Sequence, residues 1–197
     1  MTGVSEPISL DTFIYQYQLE DASICRNIIE TSEKSSRWNN SLTVTGRHPF
    51  MRESESLQFS AEMPPSDHEK MLMFMQECVT HYTQEIPAAG DVVPFGLREG
   101  YTILKYKPDE AYHAFHSDQS YPDLINRHIT LILYLNTIDE GGETEFKYQK
   151  LKVPPVAGRA IIFPAFWGYT HRSLPAVNQT RYVLNAFYGF LEGEINA

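Results

Sequence analysis

Cysteine is nearly missing from this chain: Cys25 and Cys78 are the only two in 197 residues. They have no CxxC spacing and too few partners for a disulfide framework, so reduced, buried thiols are expected. Long apolar runs are also lacking. No stretch reaches the roughly 20 residues that a membrane-spanning helix requires. The opening Met1 to Phe13 has neither the basic region nor the apolar core of a signal peptide. These absences predict a soluble, cytoplasmic protein with no membrane partner. Positive charge is scarce as well, with 16 Lys and Arg against 25 Asp and Glu and a net charge of −9. A phosphate backbone is usually met with clustered Lys and Arg, so no nucleic-acid partner is expected. Low-complexity linkers and internal repeats are absent too, and one domain over residues 1–197 is expected.

Aromatics are plentiful: eleven Phe, twelve Tyr and two Trp suit a folded chain with a sizeable core. Two zones are visible. In the first, residues 1–98, Thr12 to Leu19 has strand composition, and Asp21 can cap a helix carrying Ile24, Cys25, Ile28 and Ile29 on one face. Ser32 to Ser56 is polar and turn-rich and reads as a loop region flanking a substrate entrance, with Trp38 and Arg52 as residues able to close over it. Ser66 to Glu69 fits a capping box opening a helix that carries Met71, Phe74, Met75, Cys78 and Tyr82, a core stripe.

The second zone, residues 99–192, is a series of short strands: Tyr101–Tyr106, His128–Leu135, Thr144–Lys147, Ala160–Phe163, Gly168–His171 and Tyr182–Tyr188. Turn signals separate them, among them Pro108-Asp109, Gly141-Gly142 as a hairpin turn, and Pro154-Pro155 with Gly158. The predicted class is mainly β with flanking helices (α+β), arranged as a jelly roll or double-stranded β-helix of the cupin-like kind. Such a fold brings strands distant in sequence together inside one mouth.

Within this zone lies His116-Ser117-Asp118, followed by His171 and, ten residues later, Arg181. In an extended strand residues two apart share a face, so His116 and Asp118 can hold one ion together. With His171 they form a two-histidine, one-carboxylate set that leaves half an octahedron open, the arrangement of non-haem Fe(II) oxygenases. Arg181 is placed to offer a guanidinium to a carboxylate.

The order of motifs from Tyr101 to Phe190 resembles the prolyl 4-hydroxylase-like Fe(II)/2-oxoglutarate dioxygenases. The resemblance rests on Tyr106-Lys107-Pro108, His116-Ser117-Asp118 and Arg127 to Thr130 leading into Tyr134-Leu135-Asn136. It continues through Gly141 to Phe146, Gly158 to Pro164, then His171, Pro175 and Arg181. A fainter echo is Arg52-Glu53-Ser54, where relatives carry an Arg-x-Ser loop.

The resemblance implies that His116, Asp118 and His171 bind Fe(II). It implies that Arg181 and Tyr134 bind the distal carboxylate of 2-oxoglutarate, and that Tyr106 lies close to metal and cosubstrate. Arg127 matches a position near the substrate. His113 stands where proline-hydroxylating relatives carry Tyr, a departure on the substrate side, with Tyr112 beside it. Asp118 favours hydroxylation, because halogenating relatives lack this carboxylate.

The implied reaction consumes O2 and 2-oxoglutarate, with ascorbate as an accompanying reductant. It hydroxylates an unactivated C–H bond with release of succinate and CO2. Prolyl residues of a protein or peptide are the leading substrate; a free amino acid or other small molecule is the alternative. A non-catalytic jelly-roll binding module is the reading from another class, and it would be favoured by a missing ligand or anchor. None is missing. Base-repair relatives carry a second arginine six residues after the first, and here that position is Phe187.

Overall fold

A computed structural model describes residues 7–9, 12–41, 51–58 and 65–191. In chain order the elements are β1 (Pro7–Ser9), β2 (Ile14–Gln18), α1 (Ala22–Glu33), β3 (Asn39–Asn40), β4 (Glu55–Gln58), α2 (Pro65–Glu85), α3 (Pro87–Gly90) and β5 (Phe95–Tyr106). They continue as β6 (Arg127–Tyr134), β7 (Thr144–Phe146), β8 (Leu151–Val153), β9 (Arg159–Pro164), β10 (His171–Ser173) and β11 (Arg181–Phe190). Among the described residues the strands form an eight-stranded sheet in the order β1-β2-β9-β6-β11-β5-β4-β3 and a three-stranded sheet β10-β7-β8. Every pairing is antiparallel. No described helix is long and apolar enough to cross a membrane.

The large sheet is covered on both faces, and side-chain alternation decides what each face does. On β6, Ile129, Leu131 and Leu133 enter the core shared with α1 and α2, where Ile24, Ile28, Met71, Met75 and Cys78 pack. The alternate residues Ile132 and Tyr134 point to the other side, into a second core with Phe146, Val153 and Phe163. On β9, Ala160 and Ile162 join the first core, and Ile161 and Phe163 the second. The helices therefore buttress the sheet from behind. The opposite face, toward the small sheet, is where a mouth can open.

Several expectations are refined. Asp21 caps α1 by accepting from the Ser23 amide at 3.1 Å. Helix α2 starts at Pro65, so Ser66 lies inside its first turn rather than capping it. Proline at a helix start loses no internal hydrogen bond and takes that place. Ser32 to Ser56 is not one loop: α1 runs to Glu33, and β3 and β4 follow, with residues 42–50 outside the described set. Strand β5 begins at Phe95, so the boundary between zones at residue 98 falls inside a strand. The segment expected as strand Gly168–His171 is a 3-10 turn, Trp167–Tyr169, and the strand starts at His171. Gly141-Gly142 is not a hairpin turn, because β6 and β7 lie in different sheets. Both glycines take positive φ where the chain crosses between sheets.

Candidate active site

Three segments bring the triad together. His116 and His171 form an isolated antiparallel bridge, joined by amide-to-carbonyl bonds of 2.9 and 2.8 Å in the two directions. Asp118 opens a turn instead of continuing a strand, and its side chain still converges. Its Oδ1 lies 3.9 Å from His116 Nε2 and its Oδ2 lies 4.0 Å from His171 Nε2. One donor atom from each of the three residues lies within 4.8 Å of the others.

Neighbouring carbonyls set the tautomers. His116 Nδ1 lies 3.2 Å from the Ala114 carbonyl and His171 Nδ1 lies 2.9 Å from that of Tyr169. A carbonyl only accepts, so each Nδ1 carries a proton and Nε2 is the nitrogen turned toward the other triad members. Burial, reinforced by neighbouring His171, holds His116 down at about 3, so its ring is neutral near pH 7. Two imidazole nitrogens and one carboxylate fit a divalent first-row metal with open positions.

Arg181, Val183, Asn185 and Phe187 alternate along the inward face of β11 and line a cavity of about 540 Å³ together with the triad. Arg181 is only 2% exposed. Its Nη1 donates to the Gly142 carbonyl at 2.5 Å, while its Nε has no partner. Among the described residues no carboxylate lies within ion-pairing distance of it. A buried guanidinium is costly without an anion. The Tyr106 ring, 4.2 Å from the guanidinium carbon, covers one of its faces.

Tyr134 is fully buried; its hydroxyl donates to Thr144 Oγ1 at 2.6 Å. Burial raises this phenol to about 12. Thr144, not Tyr134, lines the cavity wall, so Tyr134 stands behind the residue that faces the interior.

At the rim, Arg127 donates from Nε to Glu99 at 2.7 Å and from Nη1 to the Asp118 carbonyl at 3.2 Å. Its guanidinium stacks 3.5 Å from the Phe187 ring centroid. His113 does not line the cavity; its Nε2 lies 3.9 Å from Glu53. Tyr112 does line it, stacked on His116 at 3.6 Å with planes 9° apart. Arg52 forms a bridge with Tyr112, donates to Ser54 at 3.1 Å and lines one side of the mouth. Trp38 lies away from the cavity, donating to the Ser32 carbonyl at 2.8 Å and packing on the helical core. Trp167 is 74% exposed.

Sequence reading missed Thr130, whose hydroxyl donates to Asp118 Oδ2 at 2.7 Å, and Asn185, whose buried Oδ1 has no partner. Both sit at inward positions of strands that the sequence had placed. A polar residue breaking such an apolar face was the available signal.

Residues 101–189 match the family described as the 2OG-Fe(II) oxygenase superfamily. Prolyl 4-hydroxylase 13 of Arabidopsis thaliana is 36% identical over 89 residues, covering 36% of this chain and 32% of that protein. The chain thus spans about a third of the length of this curated relative. A viral collagen prolyl hydroxylase from Paramecium bursaria Chlorella virus-1 superposes with a TM-score of 0.69 at 20% identity, over 91% of this chain and 97% of that one. A Pseudomonas putida prolyl-4-hydroxylase gives 0.68 at 17% identity, over 93% and 97%. A Trichoplax adhaerens prolyl hydroxylase, solved with a hypoxia-inducible-factor peptide fragment, gives 0.67 at 17%, over 85% and 78%. The fold is the double-stranded β-helix of these prolyl hydroxylases.

Proposed function

We propose that this chain, similar in fold to prolyl hydroxylases and matching the 2OG-Fe(II) oxygenase superfamily over residues 101–189, is an Fe(II)- and 2-oxoglutarate-dependent dioxygenase hydroxylating prolyl residues of a protein or peptide. One observation carries the reading. A metal-type triad and a buried guanidinium with an unpartnered Nε face the same cavity.

His116, Asp118 and His171 would hold Fe(II) through Nε2, a carboxylate oxygen and Nε2. Bound iron supplies the oxidative chemistry, in which 2-oxoglutarate and O2 become succinate and CO2 while one oxygen atom enters the substrate C–H bond. Arg181 would pair with the far carboxylate of 2-oxoglutarate, and the Tyr106 ring against it keeps water from its face. Tyr134 acts on that carboxylate's surroundings through Thr144. Arg127, Tyr112 and Phe187 form the wall on which a substrate ring would rest, with His113 further out beside Glu53. The segments before residue 99 contribute α1 and α2 as the buttress and Arg52 as part of the rim, all within one catalytic unit. A cytoplasmic location belongs to the same reading.

The prolyl substrate is supported by the names of the relatives and by a walled mouth beside the triad. The test is mass spectrometry of prolyl peptides and of free proline, each incubated with protein, Fe(II), 2-oxoglutarate and ascorbate. A gain of one oxygen on the peptide, with stoichiometric succinate, is the expected result. Oxygen on free proline alone would replace the substrate by a small molecule. Absence of succinate under every condition would overturn the dioxygenase reading.

A further inference from the structure

Asp118 is the one triad member on a turn, and its carboxylate is free to rotate unless something holds it. Thr130 does. It lies in the middle of β6, paired with Phe163 of β9 on one side and Phe187 of β11 on the other, so its Cα has little freedom. It is fully buried, and its β6 neighbours Ile129, Leu131 and Ile132 are apolar. A hydroxyl among such residues is costly unless bonded, and here it donates to Asp118 Oδ2 at 2.7 Å. A carboxylate only accepts, so the direction of this bond is unambiguous.

We propose that Thr130 is a positioning residue that keeps Asp118 a one-oxygen ligand. This rests on the reading of His116, Asp118 and His171 as an iron site. Carboxylates bind metals through one oxygen or two. With Oδ2 committed to the Thr130 hydroxyl, Oδ1, on the His116 side, is left for the metal. An octahedral ion held by three protein donors keeps three places, enough for a chelating keto acid and one further ligand. A carboxylate swinging to two-oxygen binding would remove one of those places. The Asp118 backbone is steadied as well, because its carbonyl accepts from Arg127 Nη1 at 3.2 Å, three residues earlier on the same strand. One central strand thus fixes both ends of the ligand that its own turn leaves loose.

The test compares Thr130→Val, which keeps the shape and removes the hydroxyl, with Thr130→Ser, which keeps the hydroxyl. Mn(II) binding by electron paramagnetic resonance is the readout that does not depend on turnover, and the ratio of succinate formed to substrate hydroxylated is the second. Thr130→Val should weaken Mn(II) binding about 10- to 100-fold and raise that ratio well above one, with Thr130→Ser close to the parent in both. Should Thr130→Val fail to fold, Thr130→Ala takes its place. Parental Mn(II) affinity and coupling without the hydroxyl would overturn the proposal, as would equal losses in the Ser variant. Asp118→Ala separates the two levels: if it binds Mn(II) as well as the parent, the iron-site reading itself fails, whatever Thr130 does.

Discussion

His116 and His171, 55 positions apart in sequence, exchange amide-to-carbonyl hydrogen bonds of 2.9 and 2.8 Å in both directions. Their rings meet at a centroid distance of 4.5 Å. The backbone thus holds both imidazoles, through this bridge and the Ala114 and Tyr169 carbonyls, whereas the Asp118 carboxylate takes its hydrogen bond from a side chain. Replacing His116, Asp118 or His171 by Ala should each abolish Fe(II)-dependent succinate formation and remove Mn(II) binding measured by calorimetry. Full activity in Asp118→Ala would show that the site lies elsewhere.

Arg181 should dominate cosubstrate affinity. Removing one member of a desolvated charge pair costs on the order of 2–5 kcal/mol, so Arg181→Ala should weaken 2-oxoglutarate binding by about thirty-fold or more. Arg181→Lys should lose less, since the charge stays while the planar fork is lost. Tyr134→Phe removes the bond that orients Thr144 at the cavity wall and should lower 2-oxoglutarate affinity by less than about tenfold. Titrating 2-oxoglutarate against each Mn(II)-loaded variant checks all three.

Gly141 is needed where the chain crosses between sheets. Its φ is +78°, and a Cβ there would lie 2.2 Å from the Pro175 carbonyl oxygen. The left-handed backbone alone costs about 1–3 kcal/mol for a residue with a side chain, and the backbone clash adds to it. Gly141→Ala should lower the urea midpoint accordingly. It should also weaken 2-oxoglutarate binding, because the neighbouring Gly142 carbonyl accepts from Arg181.

The thiols should be silent in the native state. Burial pushes Cys25 up to about 11 and Cys78 further, so neither forms the reactive thiolate at pH 8. A thiol reagent should label both only after unfolding. The sign for stability follows: above about pH 9 the unfolded thiols ionise and the buried ones do not. The unfolded chain then holds fewer protons, and stability falls as pH rises from about 9 toward 11. A pH series of urea midpoints should show this decline, and a Cys25→Ala, Cys78→Ala double variant should make it shallower, the buried Tyr101 and Tyr134 keeping the part above about pH 10.

Features that depend on near neighbours in the chain were legible from residue order. The Asp21 cap, the apolar stripe of α2 and the strand composition of β6 and β11 all follow from near neighbours in the chain. The donor types at 116, 118, 171 and 181 were legible too, because few side chains can ligate a metal or anchor a carboxylate. Tertiary structure decided the rest. It put Trp38 on the helical core instead of over the mouth, and stacked Tyr112 on His116 while turning His113 toward Glu53. It set Tyr134 behind Thr144 and joined Thr130 to Asp118. None of these follows from spacing, because each depends on how two sheets face each other and on where a turn aims its side chain. A strand's pattern tells which residues point inward; only the closed fold determines what they meet there.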